Sequence, residues 1–85
     1  MTRKLFWEDA YVREFDATVS SVDGNQVVLD QTAFNPRGGG LVGDLGTLDG
    51  VRVLDTIKAN ADSIAHVLEG THSLAAGNTV HGVLD

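Results

Sequence analysis

Residues 15–22, "FDATVSSV", set apolar Phe15, Ala17 and Val19 against polar Asp16, Thr18 and Ser20. A period of two is the spacing of a strand with one face on a core and the other in water. Asp23-Gly24-Asn25 follows, and then "QVVLD" runs from 26 to 30. Two β-rich runs joined by Asp-Gly predict a hairpin, because these residues accept the positive φ of a tight turn. Asp49-Gly50 repeats the device within "GTLDGVRVLDTIKA" (46–59). Strict alternation there would put Val51, Val53 and Ile57 on one face and Arg52, Thr56 and Lys58 on the other. "SIAHVLEG" (63–70) and "TVHGVLD" (79–85) add two further strands, separated by a loop containing Gly77-Asn78. Both carry apolar residues on each face, as a closed or well-covered sheet requires.

No segment reads as a full helix. "WEDAYVREF" (7–15) has the composition for one or two turns, but Trp7, Tyr11 and Phe15 also suit a strand entering from an edge. Five or six short strands with glycine turns predict an all-β fold, a small antiparallel barrel. Eighty-five residues make one domain, 1–85, with a limited core. There is no cysteine, so neither a disulfide nor a cysteine-built zinc site is available, which fits a reducing compartment. No signal-peptide pattern and no long apolar run occurs, so a cytoplasmic protein without a membrane partner is expected.

Twelve acidic residues, nine of them Asp, outweigh six basic ones and give a net charge of -6. Such a surface repels phosphate backbones and argues against a free-standing nucleic-acid binder. An Asp-rich, Lys-poor composition fits a high-salt cytoplasm and an ordinary acidic domain equally well.

"NPRGGGLVGDLG" (35–46) contains Gly38, Gly40 and Gly43 at the spacing of a dinucleotide-binding loop. That loop works only where a helix follows, whose amides and dipole receive the pyrophosphate. Residues 44–57 contain two more glycines, a turn and strand-like alternation, so the nucleotide reading fails. A P-loop fails too, since no Gly-Lys-Ser/Thr follows. Three consecutive glycines instead suit a wide barrel-crossing loop able to approach another surface closely.

His66, His72 and His81 lack metal-site spacing and read as partly buried or surface histidines. Asp30, Asp44 and Asp55 are dispersed and typical of turns and solvated faces, so they name no acid/base pair. No Ser/His/Asp arrangement can be assembled with any specificity.

Taken in order, "TRKLFWEDAYVREFDATV" (2–19), "VVLDQTAFNPRGGG" (27–40), "GDLGTL" (43–48), "IAHVLEG" (64–70) and "TVHGVLD" (79–85) resemble the AlaX family of alanyl-tRNA editing proteins. These proteins are related to the editing region of alanyl-tRNA synthetase. The resemblance covers essentially the whole chain and implies the family's N-terminal, translation-protein-like β-barrel. In the family a following α/β domain holds zinc through a His-x-x-x-His motif, a Cys and another His, and hydrolyses serine or glycine wrongly attached to tRNA for alanine. This sequence has no cysteine and no His-x-x-x-His, so the zinc-bearing editing domain is expected to be absent. No cofactor is then expected in the chain, and no independent activity.

The family's glycine element usually reads Phe-Tyr-Pro-x-Gly-Gly-Gly-Gln-Pro-x-Asp and reaches toward the editing pocket and the 3′ end of the tRNA. Phe34, Pro36, Gly38, Gly39, Gly40 and Asp44 match it, with Arg37 at the variable position. Asn35, Leu41 and Val42 stand where Tyr, Gln and Pro are usual. Leu41 cannot make the hydrogen bonds of an amide. The resemblance thus implies an accessory, tRNA-related barrel, with the tRNA(Ala) acceptor end or a separate zinc-bearing editing domain as partner. The alternative is a diverged structural or protein-interaction domain with no tRNA role.

Overall fold

The computed structural model describes residues 2–8, 11–36, 38, 43–60, 63–70 and 72–85. Two short pieces open the chain, β1 (Arg3–Lys4) and the single helical turn α1 (Leu5–Glu8). Seven strands follow: β2 (Glu14–Asp23), β3 (Gln26–Leu29), β4 (Gln31–Thr32), β5 (Gly46–Leu48), β6 (Val51–Asn60), β7 (Ser63–Leu68) and β8 (Thr79–Leu84). Six of them pair in a ring, β2-β3-β7-β6-β5-β8 and back to β2, with every pairing antiparallel. This is the all-β barrel that the alternation predicts. β1 and β4 form a separate two-stranded parallel pair, Arg3 opposite Gln31 and Lys4 opposite Thr32.

Both Asp-Gly signals mark hairpins, but the turns differ. Asp23 pairs with Gln26, leaving Gly24-Asn25 as the two turn residues. Gly24 alone has positive φ, +59°, the pattern of a type II′ turn with glycine first. Leu48 pairs with Val51, so Asp49-Gly50 is itself the turn, with φ of 49° and 81° at the two residues. Positive φ at both marks type I′, whose twist matches that of the flanking strands.

Strict alternation along β6 does not hold. Val53 is opposite Leu68 and Asp55 is opposite Val67, so one residue is inserted at Leu54. A bulge of this kind shifts the inward phase by one. Val53 and Thr56 are therefore both buried, while Leu54 is exposed and Ile57 only half-buried. The expected grouping of Thr56 with Arg52 and Lys58 on the outer face is corrected accordingly.

The core takes inward residues from every barrel strand: Phe15, Ala17 and Val19 from β2, Val27 and Leu29 from β3, with Leu48, Val53, Leu68 and Val80. Ala33 and Phe34 join it from the connection after β4. Phe34 is fully buried and meets Phe15 and His66 edge-on, at centroid distances of 5.8 and 5.2 Å. At about 25 cal/mol per Å² of apolar surface removed from water, such aromatics are among the largest single contributors to a core this small. β3 and β5 stand opposite each other in the ring, so the chain between them must cross one end of the barrel. That crossing carries the glycine loop.

Candidate functional site

The loop is closed at its neck before its glycines come into play. The Asn35 N–H donates to Asp44 Oδ2, and the Asp44 N–H donates to the Asn35 carbonyl, each at 3.0 Å. The neck is then fastened to β6. Asp55 Oδ1 accepts the N–H groups of Gly43, at 3.1 Å, and Thr56, at 2.8 Å. The buried Thr56 hydroxyl donates to the Asp44 carbonyl at 2.8 Å. The bulge at Leu54 makes this possible, because it brings Thr56 inward where an unbroken strand would not. Gly43 lies so close that a Cβ there would run into the Thr56 carbonyl oxygen and come within 2.9 Å of Asp55 Oδ1.

Phe34 roots the other side of the neck. Its N–H donates to Thr32 Oγ1 at 3.0 Å, and Thr32 Oγ1 lies 2.8 Å from His66 Nε2. His66 Nδ1 faces the Val27 carbonyl at 2.9 Å, and a carbonyl can only accept. The proton therefore sits on Nδ1, Nε2 accepts from the Thr32 hydroxyl, and a neutral imidazole completes the chain. Burial pushes the His66 pKa down to about 4.

Among the residues carried over from the resemblance, Phe34 is a core anchor, Pro36 is half-buried, Gly38 is exposed and Asp44 is the neck acceptor. Arg37, Gly39 and Gly40 lie outside the described residues, as do Leu41 and Val42. Asp44 and Asp55, dispersed in sequence, meet at the neck as acceptors of backbone N–H groups. Asp30 does similar work elsewhere, accepting from the Thr18 N–H at 2.9 Å. Sequence reasoning missed Asp55 and Thr56 as loop residues.

A cleft of about 200 Å³ opens beside the neck, with Phe6, Val12, Ala33 and Leu84 on its apolar side and Arg13, Asn35 and Asp44 on its polar side. A second hollow continues it past Gly43 and Leu45 to Asp85.

The histidines do not form a zinc site. Each uses both ring nitrogens. His66 is bound as above, and His72 faces the Gly24 carbonyl with Nε2 while its Nδ1 accepts the Leu74 N–H. His81 places Nδ1 2.9 Å from Asp16 and Nε2 3.0 Å from Glu14. Those carboxylates, Glu14 foremost, raise its pKa. Among the described residues no three His, Cys, Asp or Glu side chains converge as metal ligands.

The neck gives a direct prediction. Asp55→Ala removes the acceptor of two N–H groups and is expected to cost about 1–2 kcal/mol in urea unfolding. Amide exchange at Gly43 should rise with it. Asp55→Asn, which keeps one acceptor oxygen, should lose less; equal stability of the Ala variant and the parent would disprove the staple.

Residues 6–85 match the family model described as tRNA synthetases class II (A). The chain is 41% identical over 85 residues to the alanyl-tRNA editing protein AlaX-M of Pyrococcus horikoshii, covering 100% of this chain and 39% of that protein. It is 36% identical over 90 residues to AlaX-M of Saccharolobus solfataricus, covering 100% of this chain and 38% of that protein. Against the alanine–tRNA ligase of Methanospirillum hungatei it is 49% identical over 90 residues, covering 99% of this chain and 10% of the ligase. The chain thus spans about two fifths of the editing proteins and about a tenth of the ligase. With the model matched from Phe6 to the last residue, the chain belongs to the class II (A) tRNA synthetase family, as a domain related to alanyl-tRNA editing.

Proposed function

We propose that the chain is the accessory barrel of an alanyl-tRNA editing system, holding its glycine loop toward the 3′ end of an aminoacylated tRNA. The observation that carries this reading is the stapled neck. Asn35 and Asp44 at the neck are hydrogen-bonded to each other, and Asp44 to Thr56 of the barrel wall, the kind of fixed support a positioning element needs. The hydrolytic chemistry, removal of serine or glycine from tRNA(Ala), would come from a zinc-bearing editing domain. The histidines described above do not fit zinc, and the sequence has no cysteine.

The test is reconstitution. The chain alone should leave Ser-tRNA(Ala) intact in the presence of zinc. Added to a zinc-bearing editing domain of the AlaX type, it should raise deacylation at least several-fold, and Asp55→Ala should lose much of that gain. Hydrolysis by the chain alone would overturn the accessory role.

The net charge of -6 favours a second reading, a structural or interaction domain without a tRNA role. Saturable tRNA binding that weakens with salt would exclude it.

A further inference from the structure

We infer that Trp7, with Lys4 beside it, is a stacking platform for an unpaired nucleotide of RNA. This deepens the tRNA reading above and rests on it.

Trp7 is 76% exposed, although a side chain so largely apolar is normally covered. It is displayed by a braced segment. β1 is paired to β4, and the Arg3 N–H donates to the Asp30 carbonyl at 2.8 Å. The Arg3 guanidinium, in β1, donates two bonds of 2.7 and 2.6 Å to Glu8, the last residue of α1. Leu5 packs against the core and Phe6 lines the cleft, so both neighbours on the turn face the barrel. Phe6 also meets the indole edge-on at 5.9 Å.

The Lys4 ammonium lies 4.5 Å from the Trp7 ring centroid. It lies over the indole, and Trp7 nevertheless keeps about three quarters of its surface open to solvent. Its contact with the indole is a cation–π one, and among the described residues this ammonium makes no ion pair. An open aromatic face with an adjacent cation is the pairing that receives a base and its phosphate. Single-stranded ends offer such bases, whereas a duplex hides them in its stack. The net charge of -6 works against such a ligand. That charge opposes phosphates at long range, so RNA held here would depend on short-range stacking on Trp7. The location agrees as well, since Phe6 shares its cleft with Asn35 and Asp44 of the loop neck.

Trp7 is the only tryptophan, so its emission reads the site directly. A short unstructured RNA should quench that emission saturably, and the same RNA annealed to its complement should not. Anisotropy of the end-labelled RNA should show about 5- to 100-fold weaker binding for Trp7→Ala, and a smaller loss for Trp7→Phe. Melting temperatures should match the parent, because the side chain is on the surface. RNA bound with emission unchanged, equal quenching by the duplex, or an emission shift only with a zinc-bearing editing domain would each overturn the platform. The loop reading would survive those outcomes. Failure of intact tRNA to bind at low salt would overturn both.

Discussion

Gly46→Ala is expected to lower the melting temperature on the order of 15 °C or more, or to prevent folding. Gly46 opens β5 and pairs on both sides, with Val53 of β6 and Leu84 of β8. A Cβ there would run into the Val83 carbonyl oxygen, lie 2.9 Å from the Leu84 Cα and touch the Phe34 ring at 3.0 Å. The first two obstacles are backbone, so no rotamer change relieves them. Relief requires β5 to move off β8, which opens the ring at its shortest strand. Overpacking costs about 1–3 kcal/mol where side chains can yield, and this site belongs at or above the top of that range. For a domain of 60–100 residues, each kcal/mol moves the midpoint by about 4–8 °C. Gly50→Ala is the control. Gly50 has φ of +81° with open space around the added methyl, so only backbone strain of about 1 kcal/mol should appear. Thermal unfolding followed by circular dichroism separates the two; equal losses would mean that contact at Gly46 is not the cause.

The sequence revealed the features set by near neighbours. Asp-Gly between alternating runs marked both hairpins, because turn chemistry acts over a few residues. It did not reveal the insertion at Leu54. A bulge is fixed by the registers of Leu68 and Val67 on the partner strand, and nothing in "VRVLDT" marks it. The reversed faces of β6 follow from that one residue. Nor did local pattern show that β8 would pair with β2 and β5 and leave β7 to β3 and β6, since those partners are set by closure of the ring.

The candidate site divides in the same way. Phe34, Pro36 and Asp44 were visible as a motif, yet the motif does not say what each does. The structure makes Phe34 an anchor and Asp44 half of a neck. Asp55 and Thr56 follow a valine-rich run and look like an ordinary strand there. Their work depends on contact with Gly43 and Asp44 across 12 positions of chain. Trp7 stood out only as part of an ambiguous helix or strand, and its exposure is a tertiary fact.

Stability is expected to fall by about 3 kcal/mol between pH 6.5 and pH 4 through His66 alone. An unfolded chain binds a proton at this residue near pH 6.5. The folded chain resists until about pH 4, chiefly because the ring is desolvated. Between those values the unfolded state carries the extra proton, so unfolding gains as pH falls; the loss is absent above 6.5 and complete below 4. At ~1.4 kcal/mol per pH unit the full interval amounts to at most about 3.5 kcal/mol, and gradual titration at its two ends brings this to about 3. The hydrogen bonds agree with this sign. A proton on Nε2 would leave the Thr32 hydroxyl without its acceptor, and Thr32 is what holds the Phe34 N–H. His81 acts oppositely. Its pKa is raised by Glu14 and Asp16, so its contribution is complete below 6.5 and disappears as pH rises through the folded-state value. The two windows lie on opposite sides of 6.5 and can be read separately. His66→Leu, close in volume, should lose about 1–3 kcal/mol at pH 7, where the Val27 carbonyl and Thr32 hydroxyl lose a partner. It should also flatten the acid slope. Urea unfolding of parent and variant from pH 4 to pH 7 makes the comparison, and parallel curves would show that the buried imidazole does not control the acid limb.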